Sequence, residues 1–130
     1  MTDIKNVVSL EIANQLKEAG WVKETEFYWT YSMMDEPKIE HNPQPFRNCL
    51  ESWTVLPAPL ATEILEELPY SIEVKDETYN LEVHKIDSGY VVRYQRDSGL
   101  YPGDIQQYDK YSLPNALAKM WLYLKKEKLI

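Results

Sequence analysis

A chain of 130 residues, 44% of them apolar and 27% charged, holds enough apolar side chain for one domain with its own core and too much for a disordered polymer. Its formal charge of −7 argues against a broad basic nucleic-acid footprint and leaves room for a basic protein partner. One cysteine, Cys49, excludes an intrachain disulfide, the opening MTDIKNVVSL has no signal-peptide pattern, and no apolar run approaches spanning length, so a cytoplasmic protein without a membrane partner is expected.

Residues 3 to 19 are predicted to be helical. Val8, Ile12, Leu16 and Ala19 share one face, and Gly20 stands where a helix takes its left-handed terminating residue. Thr2 or Asp3 would cap the whole helix, and Asn6 or Ser9 a shorter one. From Trp21 to Tyr31, Phe27, Trp29 and Tyr31 alternate with Tyr28 and Thr30, the period of a strand. Both faces are aromatic or β-branched, so the strand is either covered on both sides or presents an exposed aromatic face.

Between Met33 and Asn48, Pro37, Pro43 and Pro45 deny a central strand. A long loop or protruding hairpin is expected there, with room for a short edge strand at 38–40. Cys49 to Leu56 reads as the second strand. A short helix from Pro59 to Leu68 follows, with Pro59 in its first turn, Ile64, Leu65 and Leu68 on its buried stripe, and Pro69 as its stop.

Ile72 and Val74 are in phase for a short strand over 70–75. The strongest sheet signal is 79–96. Tyr79, Leu81 and Val83 face inward, Asp87, Ser88 and Gly89 make the turn, and Tyr90, Val92 and Tyr94 return on one face. Residues 97–111, punctuated by Gly99, Pro102 and Gly103, are predicted to be loop. Ser112 to Ile130 is the clearest helix. Ser112 suits the N-cap, Pro114 the first turn, Leu113, Leu117, Met120, Trp121 and Leu124 form an apolar stripe, and Lys125, Lys126 and Lys128 suit its C-terminal end.

The chemistry-bearing residues are few. His41 and His84 belong to no ligand motif, and no cofactor or metal is expected. Glu73-Val74-Lys75 has the Glu-x-Lys form that metal-dependent nucleases place on a strand, but the acidic partner on a neighbouring strand is missing and Asp76 and Glu77 follow at once. Glu82 and His84 share a strand face, as an acid–base pair would. Lys85, Arg93 and Arg96, with Tyr28 or Tyr94, would make a small platform for single-stranded nucleic acid if they shared one face.

A protein contact surface fits the composition better. Its parts are Trp21, Tyr28, Trp29, Tyr31, Met33 and Met34, joined by Leu122 and Tyr123 off the main stripe of the last helix. Aromatic residues and methionine are enriched in interfaces.

Two segments also carry a resemblance. Ala58, Pro59, Glu63, Leu65, Leu68 and Pro69, followed by Ser112, Leu113, Ala116, Leu117, Ala118, Met120 and Trp121, resemble the paired helices that bracket a short sheet in small uncharacterised proteins of bacterial phages and prophages. The resemblance implies a mobile-element context and carries no catalytic residue.

The expectation is a single α+β domain over 1–130, an antiparallel sheet of four to five strands with helices packed mainly on one face. Ile12, Leu16, Trp53, Ile64, Leu68, Leu81, Val83, Val92, Leu117, Met120 and Leu124 should form the core. The expected function is a non-enzymatic accessory or interaction protein of phage type, whose partner is a second copy or a phage or host protein. A metal-dependent nuclease using Glu73 and Lys75, or a weak single-stranded nucleic-acid binder, is the alternative.

Overall fold

The computed structural model describes residues 6–33, 36–41, 53–96 and 105–130. Helix α1 (Leu10–Glu18) leads into strands β1 (Phe27–Ser32), β2 (Lys38–His41) and β3 (Trp53–Pro57). Helix α2 (Ala61–Glu67) connects them to β4 (Ser71–Val74), β5 (Glu77–Ile86), β6 (Gly89–Arg96) and β7 (Ile105–Asp109), and helix α3 (Leu113–Lys126) closes the fold. This is an α+β architecture with an antiparallel four-stranded sheet and helices packed against it.

The strands divide between two sheets. One has the order β2-β1-β3, the other β4-β5-β6-β7, and every pairing is antiparallel. In the larger sheet Tyr79, Val92 and Tyr94 face the core, and α3 lies over β6 and β7. The opposite face carries Asn80, Glu82 and His84 on β5, Val91, Arg93 and Gln95 on β6, and Gln106 and Tyr108 on β7, all at least partly exposed.

The α3 helix is the centre of the packing, touching α1, α2, β6 and β7. Pro114, Ala116, Leu117, Ala118, Met120, Trp121 and Leu124 are buried. At 100° per residue they cover an arc of roughly 200°, wider than the single stripe expected from Leu113, Leu117, Met120, Trp121 and Leu124. Leu113 itself is only half-buried. Ser112 Oγ accepts from the Asn115 N–H at 3.2 Å, the N-cap bond. Ahead of it, Asp109 Oδ1 accepts from the N–H groups of Tyr111 and Ser112, and Asp109 Oδ2 meets Lys119 Nζ at 3.1 Å. Asp109 thus fixes the angle at which the chain enters α3.

Several expectations shift. Among the alternative caps of α1, Ser9 is the one used, accepting from the Ile12 N–H at 3.3 Å, and Val8 is buried ahead of the helix. Pro59 and Leu60 precede α2, so Leu60 is its N-cap residue; leucine has no acceptor, and Glu63 reaches back to the Leu60 N–H at 2.7 Å instead. Leu65 is 37% exposed, so Ile64 is the buried residue of α2, and Leu68, buried too, follows the helix as its extended C-cap residue. The edge strand expected at 38–40 is β2.

The stretch 97–111 is not all loop, because β7 occupies 105–109 and pairs with β6. Its burial alternates as a strand should, but two glutamines at its middle hide the period. Of the expected core, Trp53 and Leu81 are half-buried and Val83 is 39% exposed. Val83 pairs with Val92, which is fully buried. One strand further from β7, the outer half of β5 extends past the cover of α3. The central residues of β1 settle which face is covered: Trp29 and Thr30, on opposite faces, are 6% and 0% exposed.

Candidate functional site: a two-tryptophan cleft at paired helix ends

The α1 and α3 helices run side by side in the same direction. At their starts the Ser9 N–H donates to Asn115 Oδ1 at 2.8 Å. At their other ends, residues 20–23, Glu67 from the end of α2, and residues 121, 125 and 130 line one open cleft of about 360 Å³.

The α1 end is built by a double hydrogen bond. The Gly20 N–H donates to the Lys17 carbonyl at 3.2 Å and the Trp21 N–H to the Leu16 carbonyl at 2.9 Å. Gly20 adopts φ +97°, the left-handed residue that this C-terminal motif requires. The α3 end repeats the motif: the Lys128 N–H donates to the Lys125 carbonyl at 3.1 Å and the Leu129 N–H to the Leu124 carbonyl at 2.8 Å. Lys128 takes the left-handed place at φ 59°.

Trp21 leaves the first motif pointing inward and meets Trp121 edge to face, with ring centroids 5.1 Å apart and planes at 68°. Both rings are nearly buried, and the Trp21 Nε1–H donates to the Lys23 carbonyl at 2.9 Å. The next residue, Val22, is turned outward and is 92% exposed. Lys23 folds over toward α2, where its ammonium meets Glu66 at 2.6 Å and Glu67 at 4.0 Å. The Glu66 hydrogen bond is the main reason its pKa is raised above the ordinary lysine value. Lys125 Nζ lies 5.4 Å from the centre of the Trp121 ring. The cleft therefore joins an aromatic floor, an exposed branched apolar side chain, the Glu67 carboxylate, one lysine already paired and one, Lys125, with no carboxylate partner among the described residues.

The expected contact surface is distributed differently. Of its eight residues, the cleft contains Trp21 alone. Trp29 is buried, and its Nε1–H donates to the Val8 carbonyl at 2.8 Å, so this ring holds β1 against the residues leading into α1. Tyr28 is half-buried, and its hydroxyl accepts from the Thr25 N–H. Tyr31, Leu122 and Tyr123 are half-buried against the core. Met33 is 98% exposed, and Met34, like Cys49, lies outside the described residues. Val22, Lys23 and Lys125 carry no motif in the sequence. The usable signal was Gly20 as a helix terminator, which implies that the side chains just after it are aimed by a rigid turn.

The other chemistry-bearing groups do not converge. Glu73 is on β4, but the strand ends at Val74 and Lys75 is in the turn, so strand alternation does not align the two. Among the described residues no three His, Cys, Asp or Glu side chains cluster as metal ligands. His84 Nε2 is 3.8 Å from Glu82, while the same carboxylate oxygen takes a 3.0 Å bond from Arg93 Nε.

The basic platform is not assembled. Arg93 and Arg96 are three apart on one strand and so point to opposite faces, Lys85 is on the Arg96 face, Arg96 pairs with Glu77, and Tyr94 is fully buried. Among the described residues no helix is long and apolar enough to cross a membrane. No protein-family model, curated protein or solved structure matches this chain.

Proposed function

We propose that the chain is a non-enzymatic protein-interaction domain, of the kind encoded by phages and prophages, that docks a partner at the Trp21–Trp121 cleft. The observation that carries this reading is Val22. A branched apolar side chain 92% exposed, beside an open cleft and held by a doubly hydrogen-bonded helix end, is a preorganised contact point. Scattered exposed apolar residues are ordinary on protein surfaces, so the cleft beneath Val22 is what gives its exposure weight. The mobile-element context rests on the resemblance of 58–69 and 112–121 to phage and prophage proteins.

A photo-crosslinking residue at position 22, with a second at exposed position 65 as the control, tests the reading in cells. A single defined protein adduct at 22, absent at 65 and abolished by Lys125→Glu, is expected. Equal labelling at both positions would defeat it. Light scattering after size-exclusion chromatography separates the partner types. A dimer broken by Val22→Asp makes the partner a second copy, and a monomer at tens of micromolar leaves a heterologous protein.

A further inference from the structure

We infer that the outer half of β5 takes a second copy of this chain along its free edge, the two β5 strands pairing antiparallel about a two-fold axis at His84. This edge is separate from the cleft. Strand β4 pairs with β5 only from Glu77 to Asn80, and the Leu81 N–H donates to the Tyr70 carbonyl at 2.8 Å. From Glu82 to Ile86, β5 has β6 on one side and, among the described residues, no strand on the other. Backbone polar groups alternate between the two sides of a strand. Leu81 aims its N–H at the β4 side, so Val83 and Lys85 aim their N–H and C=O groups the same way. Next to this edge Val83 and Ile86 are 39% and 41% exposed.

The occupant follows from the symmetry of those groups about His84. With His84 opposite His84, Val83 of each copy stands opposite Lys85 of the other. Each such pair exchanges two hydrogen bonds, so every outward group of the edge is satisfied. Other registers fail. Centring on Val83 drives the second copy into Tyr70, and centring on Lys85 opposes two lysines and runs the pairing into the turn. The His84 register opposes neither two lysines nor two carboxylates, because Glu82 faces Ile86 and Val83 faces Lys85. Each His84 ring keeps the Glu82 of its own chain, 3.8 Å away. The Lys85 stem lies along Val83 while its ammonium reaches water. The two-fold contact consumes the edge of both copies, so it closes at a dimer. On β7, the opposite edge of the sheet, the Tyr108 carbonyl is already taken by Lys119 Nζ at 3.0 Å.

Disulfide trapping on the whole chain, with Cys49→Ser as background, reads the register. The His84 side chain is exposed, and across the axis the two Cα atoms would lie about 4.5 Å apart, within disulfide reach. Under mild oxidation His84→Cys should give a covalent dimer about tenfold faster than Gln106→Cys, an exposed position on the same face of the sheet. Glu82→Cys should trap only when Ile86→Cys is also present. Lys85→Pro removes an outward N–H without touching the β6 ladder, so it should slow trapping at 84 to the control rate with an unchanged circular dichroism spectrum. In the unsubstituted protein, the Val83 and Lys85 amides should exchange more slowly as the chain is concentrated, while the Gln106 amide keeps its rate.

Trapping at 84 no faster than at 106, trapping at 82 alone, undiminished trapping in Lys85→Pro, or Val83 and Lys85 exchange independent of concentration would each overturn the inference. Val22→Asp should leave trapping at 84 unchanged. Its loss there would mean that the copies meet at the cleft, and the edge pairing would fall. The two readings fail separately, since an adduct at position 22 bears on the cleft alone and a disulfide at 84 on β5 alone.

Discussion

The Ser9 N–H donates to Asn115 Oδ1 at 2.8 Å, so the first turn of α3 fixes the start of α1 across 106 residues of sequence. The bond satisfies a donor at the N-terminus of α1 and sets the two helices parallel. Replacing Asn115 with Ala should cost about 1–2 kcal/mol in urea unfolding, the range for a lost partly buried hydrogen bond to a backbone donor. Asn115→Asp keeps the acceptor and adds negative charge near two helix N-termini. It should retain full stability at neutral pH and lose it on acidification.

Gly89 is required by close approach. It adopts φ +149°, and a Cβ there would lie 2.5 Å from the Asp109 carbonyl oxygen and 2.8 Å from Lys110 Cα. Both obstacles are backbone and cannot rotate away. Gly89→Ala should destabilise the protein by about 2–4 kcal/mol. Hydrogen exchange would locate the damage, with the amides of β7 losing protection before those of β5.

That contact also shows what the sequence could and could not convey. Gly89 reads at once as a turn residue, and the hairpin of β5 and β6 is legible because Tyr79, Leu81, Tyr90, Val92 and Tyr94 keep a strict period. The neighbour that makes Gly89 indispensable is β7, whose Gln106 and Gln107 give no apolar alternation. The helices were legible in type through Gly20, Ser112 and Pro69, while their exact starts depended on which of several capping residues won. The cleft was not legible. Trp21 and Trp29 look alike in the sequence, and only the hydrogen bonds of their indoles show that one anchors β1 and the other floors a surface cleft.

The turn joining β4 to β5 carries avoidable strain. Val74 pairs with Glu77, and the two residues between them, Lys75 and Asp76, have φ of 51° and 67°. A two-residue hairpin with both central residues left-handed favours Asn-Gly or Asp-Gly. Lys75→Asn with Asp76→Gly should stabilise the chain by about 0.5–1 kcal/mol, visible as a higher urea midpoint with an unchanged slope.

Thr30 is fully buried on β1, and its Oγ1 has no hydrogen-bond partner among the described residues. Thr30→Val has nearly the same shape and removes the unmatched hydroxyl. A gain of about 1 kcal/mol is expected from thermal unfolding. Loss of stability would mean that the hydroxyl is satisfied in solution, since valine would then break a bond.

Tyr94 sets the alkaline limit of the fold. Its ring is fully buried on β6, its hydroxyl donates to the Pro69 carbonyl at 2.6 Å, and burial pushes its pKa up to about 12 from 10. The folded state therefore favours the neutral phenol. Below pH 10 both folded and unfolded chains hold that proton, and the stabilisation is complete. Between pH 10 and about 12 the unfolded chain ionises while the folded chain does not, so stability falls; above about 12 both are ionised and the loss levels off. A shift of this size corresponds to about 3 kcal/mol at most. Tyr94→Phe should lower stability at neutral pH by about 1 kcal/mol through the lost hydrogen bond. It should also flatten this part of the alkaline decline, so that the variant equals and then exceeds the parent as pH rises. Urea midpoints for both proteins at intervals from pH 8 to pH 12 would show the crossing, and parallel curves would mean that Tyr94 keeps an ordinary pKa in the folded chain.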